Sequence, residues 1–285
     1  MSNPSLLALD ALLEAAVAAA RAGADVLRAA FGSALDVQVK SDRRDLVTQA
    51  DLASERAILS VLAGRWPQFG LLAEESGQTR RGQAGMWVVD PLDGTANFAR
   101  GYPVFCISIA LVDGEGPAVG VVFDPLRDEL FTGARGSGAA LNGRPLRVSA
   151  VADLADALFT SGFPYRPPAR RRLGGEVFTE VMVRAGAARR SGSAALDLAY
   201  IAAGRSEAHY ELHLAPHDVA AGVLLITEAG GTVEALAEPQ RTGWPLGLLA
   251  SNGGPLHEQI AGLAAPRFGL ERRPLSFGSV FAPSD

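Results

Sequence analysis

The run Asp90-Pro91-Leu92-Asp93-Gly94-Thr95-Ala96-Asn97-Phe98 concentrates the chemistry of this chain. Its two carboxylates stand three positions apart, directly after the apolar run Met86-Trp87-Val88-Val89, which reads as a buried strand. Gly94 and Thr95 follow where the strand gives way to a helix. A helix start leaves backbone N–H groups without partners inside the helix, and such a terminus favours an anion, phosphate above all. Carboxylates repel phosphate, so Asp90 and Asp93 belong beside one only with cations in between. The chemistry this implies is a Mg2+-dependent phosphate-ester site. Across the turn, Asp90 and Asp93 can supply one bridging and one terminal metal ligand, with the Leu92 carbonyl between them. Pro91 stiffens the turn, and Gly94 removes a side chain where a phosphate oxygen would approach.

Further acids fall where strands or turns meet helices: Asp51, Glu74 and Asp218. Each alone is weak. An Asp before a helix is commonly a cap, and Asp218, ahead of Val219 to Ala229 and the closing Gly230-Gly231, suits that role. Taken together, they supply the hard oxygen donors that Mg2+ requires. Cys106 lies in Val104-Phe105-Cys106-Ile107-Ser108-Ile109, where a small buried side chain on a core strand is a plainer reading than a catalytic thiol.

Helical spacing runs from Leu6 to about residue 31, with Gly32 as a stop. A strand over Val37 to Lys40, a charged turn over 41–45, a helix over Gln49 to Ala63 and a strand over Phe69 to Ala73 follow, with 76–85 as a loop. After the nine-residue motif, Phe105 to Val112, Ala118 to Phe123 and Glu129 to Thr132 read as successive strands of a largely antiparallel sheet. Beyond residue 150 the pattern changes. A strand at Ala157 to Ser161, a basic surface loop at Arg166 to Arg172 and helices at Leu173–Ala185 and Ala194–Ala203 come first. Strands at Ala208–Leu212 and Thr232–Ala235 then flank a helix at Asp218–Ala229. The spacing predicts an N-terminal α+β unit over 1–150, a C-terminal α/β unit over 151–270 and a loosely held tail over 271–285.

With 285 residues, 48% hydrophobic and 20% charged, the chain has ample apolar surface for a core. Its formal charge of −5 argues against nucleic acid as the main partner. One cysteine excludes an intrachain disulfide. The alanine-rich N-terminus carries Asp10, Glu14, Arg21 and Asp25, unlike a signal peptide, and no apolar run is long enough to span a bilayer. A cytoplasmic protein with no membrane partner is expected.

The motif DPLDGTANF resembles the first signature of the inositol monophosphatase family, and HDVAAGVLLITEAGG (217–231) its second. DLVTQAD (45–51), AEES (73–76) and RRSGSAALDLAYIAAG (189–204) match in order and spacing, and the resemblance spans residues 6–265. It implies a five-layer αβαβα sandwich of the sugar-phosphatase type, α+β or α/β in class. It further implies a homodimeric, lithium-sensitive phosphoric monoester hydrolase using two or three Mg2+ ions. Carried over by residue, Glu74, Asp90 and the Leu92 carbonyl would bind the first, catalytic metal, and Asp90, Asp93 and Asp218 the second. Asp51 and Thr95 would orient and deprotonate the attacking water. The N–H groups of Gly94 and Thr95 would hold the phosphate, and the Ala194 main chain and Glu211 would meet polyol hydroxyls, beside Asp93 and Asp218. Lys40 matches a basic residue near the metals.

Two departures stand out: His217 where many relatives have Trp, and Ala73 where many have Gly. Neither removes a ligand. His217 is read either as a group tuning leaving-group preference or as a histidine packed on the pocket rim. The implied reaction is direct attack of a metal-activated water, first of all on myo-inositol 1-phosphate to give myo-inositol and phosphate. Histidinol phosphate, fructose 1,6-bisphosphate and adenosine 3′,5′-bisphosphate are the alternative esters, and a non-catalytic binding module is a remote one.

Overall fold

Leu9, Leu12, Ala16, Ala20, Ala24 and Leu27 recur at three- and four-residue spacing and are all buried, which is why the first helix forms against a sheet. The computed structural model describes residues 6–31, 37–39, 46–80, 84–163, 168–237, 243, 244 and 246–278. In chain order the elements are α1 (Leu6–Ala30), β1 (Val37–Val39), β2 (Leu46–Thr48), α2 (Gln49–Arg65), β3 (Gly70–Ala73), β4 (Gly77–Arg80) and β5 (Met86–Asp93). Then come α3 (Thr95–Phe98), β6 (Cys106–Asp113), β7 (Gly116–Asp124), β8 (Glu129–Ala134), β9 (Gly138–Leu141), β10 (Arg144–Pro145), β11 (Leu158–Ser161), α4 (Pro168–Met182) and β12 (Ala187–Arg189). The last are α5 (Ala194–Ala202), β13 (Ala208–Leu214), α6 (Pro216–Glu228), β14 (Thr232–Ala237), β15 (Leu246–Ser251), α7 (Gly254–Phe268) and β16 (Glu271–Arg273).

These elements stack in five layers, αβαβα. Helices α1 and α2 cover one face of an eight-stranded sheet ordered β10-β9-β8-β7-β6-β5-β3-β4. Helices α5 and α6 cover its other face and separate it from a six-stranded sheet ordered β12-β11-β13-β15-β14-β16, whose far face carries α4 and α7. Alternation along β5 shows the consequence. Trp87 and Val89 enter the α1/α2 core, while Met86 and Val88 enter the α5/α6 core. A strand buried on both faces reads as a continuous apolar run rather than an alternating one. Gly222 sets the spacing of the central layer, since a Cβ there would lie 2.5 Å from that of Leu198 on α5.

The first sheet is antiparallel except for the β3–β5 pair, as the strand pattern suggested. On either side of residue 150 the side chains share a core, in which Met86, Val88 and Cys106 pack with Leu198, Val219 and Leu248. Among the described residues no helix is long and apolar enough to cross a membrane.

Three expectations need correction. Residues 76–85 are not simply a loop: a turn at Gly77 (φ 67°) sends β4 back along β3. The basic stretch Arg166 to Arg172 is not a surface loop throughout, because Pro168 opens α4. Proline at a helix start forfeits no intrahelical bond. The tail does not trail away at residue 271. β16 pairs with β14, and Phe277 is buried with its ring 5.2 Å from that of Trp244. Gly32, Lys40, the charged turn at 41–45, Arg166 and residues 279–285 lie outside the described residues.

Candidate active site

The end of β5 carries the nine-residue motif, and β5 runs further than expected. Its pairing with β6 resumes at Asp93↔Cys106 after an irregularity between Asp90 and Asp93. That irregularity keeps both acids on the strand while changing their exposure: Asp90 is buried and Asp93 half-buried. Asp90 Oδ1 accepts a bond from Leu92 N (3.0 Å), folding the turn around its own carboxylate. The helix that follows is a single turn, Thr95–Phe98. Gly94 enters it with φ 99°, and a Cβ there would meet Val104 O at 2.9 Å and Phe105 Cβ at 3.1 Å. Glycine is therefore required by the chain's own packing, a reason beyond the room for phosphate that the sequence suggested.

Helix α2 braces the motif from behind. Ser54 Oγ donates to Pro91 O (3.0 Å), and Glu55 Oε2 accepts from Glu75 N (2.9 Å). The same helix places Asp51, which is buried, so that Thr95 Oγ1 lies 3.3 Å from Asp51 Oδ2 and 3.0 Å from Leu92 O. Thr95, Asp51 and the Leu92 carbonyl are thus one hydrogen-bonded group.

The second half of the chain closes the site. Asp93 Oδ2 accepts from Ser193 Oγ and from Ala195 N, both at 2.7 Å, so Asp93 caps α5 from another element. Ala194 sits between those two donors. Asp218 does not stand ahead of the helix as read, since α6 opens at Pro216; from the third helical position its Oδ2 accepts from Ala215 N at 2.6 Å, while its Oδ1 faces His217 Nε2 at 3.6 Å. Ser108 Oγ donates to His217 O (3.2 Å), tying β6 to the start of α6. His217 is partly exposed. Glu211, half-buried on β13, lies against Gly162, where a Cβ would fall 1.9 Å from its Oε2.

Electrostatics binds these groups together. Burial pushes the Asp90 carboxyl well above its usual range, and the charges of Glu74, Asp93, Asp218 and Asp51 push it further. Asp93 is raised to about 7 by desolvation, against the lowering bonds from Ser193 and Ala195, with Asp218 and Glu211 raising it as well. Glu74 is open to solvent yet hemmed in by protein, as a cleft-lining group is; desolvation raises it, His217 lowers it and Asp218 raises it. So Asp90 and Asp218 lie within electrostatic reach of each other and of both Glu74 and Asp93. Among the described residues none of the four has a Lys or Arg ion-pair partner.

Carboxylates, a main-chain carbonyl and a hydroxyl are the hard donors that Mg2+ prefers over thiolate or imidazole. They are gathered without being drawn in: among the described residues no three of His, Cys, Asp or Glu form a closed set of ligands.

Sequence reasoning missed several supporting groups. Ser54 and Glu55 look like ordinary helix residues, and only their burial beneath the motif reveals their task. Asp197 and His209 are fully enclosed behind Asp93 and Glu211, with no spacing signal to link them. Cys106 is, as read, a buried strand residue; it lies 3.9 Å from Asp93 Oδ2, and burial pushes its thiol well up.

Comparison with known proteins agrees with this architecture. The model of the inositol monophosphatase family matches residues 8–267. A protein of Xylella fastidiosa named Nus factor SuhB is 45% identical over 195 residues, 68% of this chain and 70% of that one. An inositol-1-monophosphatase of Synechocystis is 39% identical over 256 residues, 89% and 88% of the two chains. The crystal structure of the extragenic suppressor protein suhB from Bartonella henselae superposes with a TM-score of 0.82 at 36% identity, covering 89% of this chain and 98% of that one. With the family model spanning nearly its whole length, this chain belongs to the inositol monophosphatase family.

Proposed function

We propose that this phosphatase-family chain hydrolyses a small polyol phosphomonoester with Mg2+, with myo-inositol 1-phosphate as first choice. The observation that carries the reading is the convergence of Glu74, Asp90, Asp93 and Asp218, free of Lys or Arg ion pairs among the described residues, beside the Thr95–Asp51 pair. Glu74, Asp90 and the Leu92 carbonyl would hold one ion, and Asp90, Asp93 and Asp218 a second. When bound, Mg2+ supplies Lewis acidity, polarising water and phosphate and stabilising the departing alkoxide.

The chain's own residues account for the rest. Thr95 Oγ1 can accept a hydrogen bond from a water while passing its proton toward Asp51 Oδ2, the buried base 3.3 Å away. The N–H groups of Gly94 and Thr95, which the single turn of α3 cannot use internally, are donors for phosphate oxygens. Ala194, between Asp93's two partners Ser193 and Ala195, and Glu211 on β13 would meet hydroxyls of the polyol. In-line attack by water forms the new P–O bond as the ester P–O bond breaks, and the alkoxide leaves with a proton. No covalent phosphoenzyme is needed, since positioning and charge stabilisation suffice.

The test is a substrate panel with Mg2+ titration. Phosphate release from inositol 1-phosphate should exceed that from histidinol phosphate, fructose 1,6-bisphosphate and adenosine 3′,5′-bisphosphate in kcat/KM and vanish in EDTA. Li+ should inhibit by competing near Asp218. A dominant preference for histidinol phosphate would overturn the substrate choice, and full turnover in EDTA the mechanism.

The relatives named Nus factor favour a second reading, an accessory role in transcription complexes alongside the phosphatase chemistry. Association with RNA polymerase that survives loss of Asp90 would support it. A homodimer in the cytoplasm fits either role.

A further inference from the structure

Strand β13 alternates between two environments. Ala208, Tyr210 and Leu212 enter the core beneath α4 and α7, so His209 and Glu211 share the opposite face, toward the central helices. Both points of contact around His209 are polar. Its Nδ1 lies 2.9 Å from Thr160 Oγ1, on the strand register that pairs Thr160 with His209, and 3.6 Å from Asp197 Oδ2 on α5. Its Nε2 is buried without a bonded partner and faces Glu211 Oε2 at 3.5 Å. Asp197 is held in turn by Ser191 Oγ (2.8 Å), in the loop that delivers Ser193 to Asp93.

A fully enclosed imidazole between two carboxylates is costly unless its ring nitrogens are used and the flanking charges offset its burial. Gly162 shows that Glu211 needs such a hold: its carboxylate lies where any Cβ at 162 would sit, with no bonded partner of its own among those described. We propose that His209 is the positioning residue for Glu211, fixing its carboxylate over Gly162 so that it presents to the substrate's hydroxyl side. Thr160 and Asp197 set the imidazole's orientation from behind, as an outer partner orients a working group. Burial alone would discharge His209; the Glu211 contact and the Asp197 charge outweigh it and raise its pKa, consistent with an imidazole whose Nε2–H is directed at Glu211. The subsite role rests on the polyol-phosphatase reading, whereas the positioning itself does not.

The test uses the full-length Mg2+-loaded protein and three variants: His209→Phe, His209→Gln and Glu211→Gln. For inositol 1-phosphate, His209→Phe should raise KM about 10-fold with kcat little changed, the size expected for losing one charged hydrogen bond. Phenyl phosphate, which lacks the hydroxyls, should show no such rise, which also certifies the fold. His209→Gln keeps an N–H donor toward Glu211 and should recover most of the KM. In the Glu211→Gln background, His209→Phe should add nothing further.

A crystal structure of His209→Phe supplies a readout independent of turnover, in which the Glu211 carboxylate should leave its seat over Gly162. An unmoved Glu211 overturns the proposal, and so does an unchanged KM where the wild type hydrolyses the ester. If the wild type hydrolyses no polyol phosphate, the substrate reading fails, and the position of Glu211 in that crystal structure still decides the positioning.

Discussion

Two groups of acids in this molecule meet opposite fates. At the far edge of the six-stranded sheet, Glu234 and Glu258 share one guanidinium: Arg272 donates to Glu234 Oε1 at 2.8 Å and to both oxygens of Glu258 at 2.7 and 2.8 Å. Glu258 is accordingly held below its usual range, chiefly by that hydrogen bond. In the cleft, Glu74, Asp90 and Asp93 are all pushed up, by burial first, and the charge of Asp218 raises each of them further. The surface group is complete as folded. The cleft group is a set of charges assembled against their own repulsion, with backbone N–H groups and serines holding them in place. That contrast marks the cleft as the place where an added cation would relieve the charge that no Lys or Arg ion pair offsets among the described residues.

The largest expected effect follows from removing the most strongly raised of these groups. Asp90→Asn keeps the side chain's size and its bond from Leu92 N, but removes a charge central to the cluster. Phosphate release should fall by about 10³-fold or more, comparable to losing a principal electrostatic contact in a transition state. Isothermal titration should show weakened Mg2+ binding. Retention of wild-type kcat and Mg2+ affinity would mean that the cleft acids are merely a buried cluster.

A second effect concerns stability. Asp93 titrates near 7 in the folded, metal-free chain and at about 3.9 when unfolded. A carboxyl raised on folding binds more protons folded than unfolded, so stability falls as pH rises between those two values. Its contribution is whole below about pH 4 and gone once pH passes about 7. The metal-free melting temperature should therefore drop as pH climbs from 5 to 7.5, with Glu74 and Asp90 adding in the same direction. Saturating Mg2+ should raise the melting temperature at pH 7.5 by at least about 5 °C, as binding to the folded state alone would do. A metal-free melting temperature that rises over this range would contradict the cleft's electrostatics.

Much of this was legible before any coordinates. The strands around DPLDGTANF follow from apolar periodicity and the acids of the cleft from carboxylates placed at strand ends, whereas the αβαβα class came with the resemblance to the family. The shortfalls share a physical cause. Strand β4 and the Pro168 start of α4 depend on a turn at Gly77 and on a helix entry that polar residues disguise. Strand β16 is three polar residues that become a strand only because β14 offers an edge. Within the site, Asp93's bonds to Ser193 and Ala195 span about a hundred residues of sequence, so no local spacing could reveal them. His209 likewise reads as one isolated histidine until β13 and α5 are brought together.

The smallest expected effect is the control for the comparison. Arg272→Ala removes the cation shared by Glu234 and Glu258 at the sheet edge, where solvent already screens Arg272 and Glu258 and where Glu234 keeps His257 Nε2 at 3.4 Å. The melting temperature should fall by no more than about 2 °C, and kcat, KM and the Mg2+ requirement should stay at wild-type values. The pairing is also salt-dependent, so even this loss should shrink in 0.5 M NaCl, beyond the reach of the Debye length there. If Arg272→Ala instead altered Mg2+ dependence, the two groups of acids would be coupled through β14 and β15. The cleft could not then be treated as a self-contained electrostatic unit.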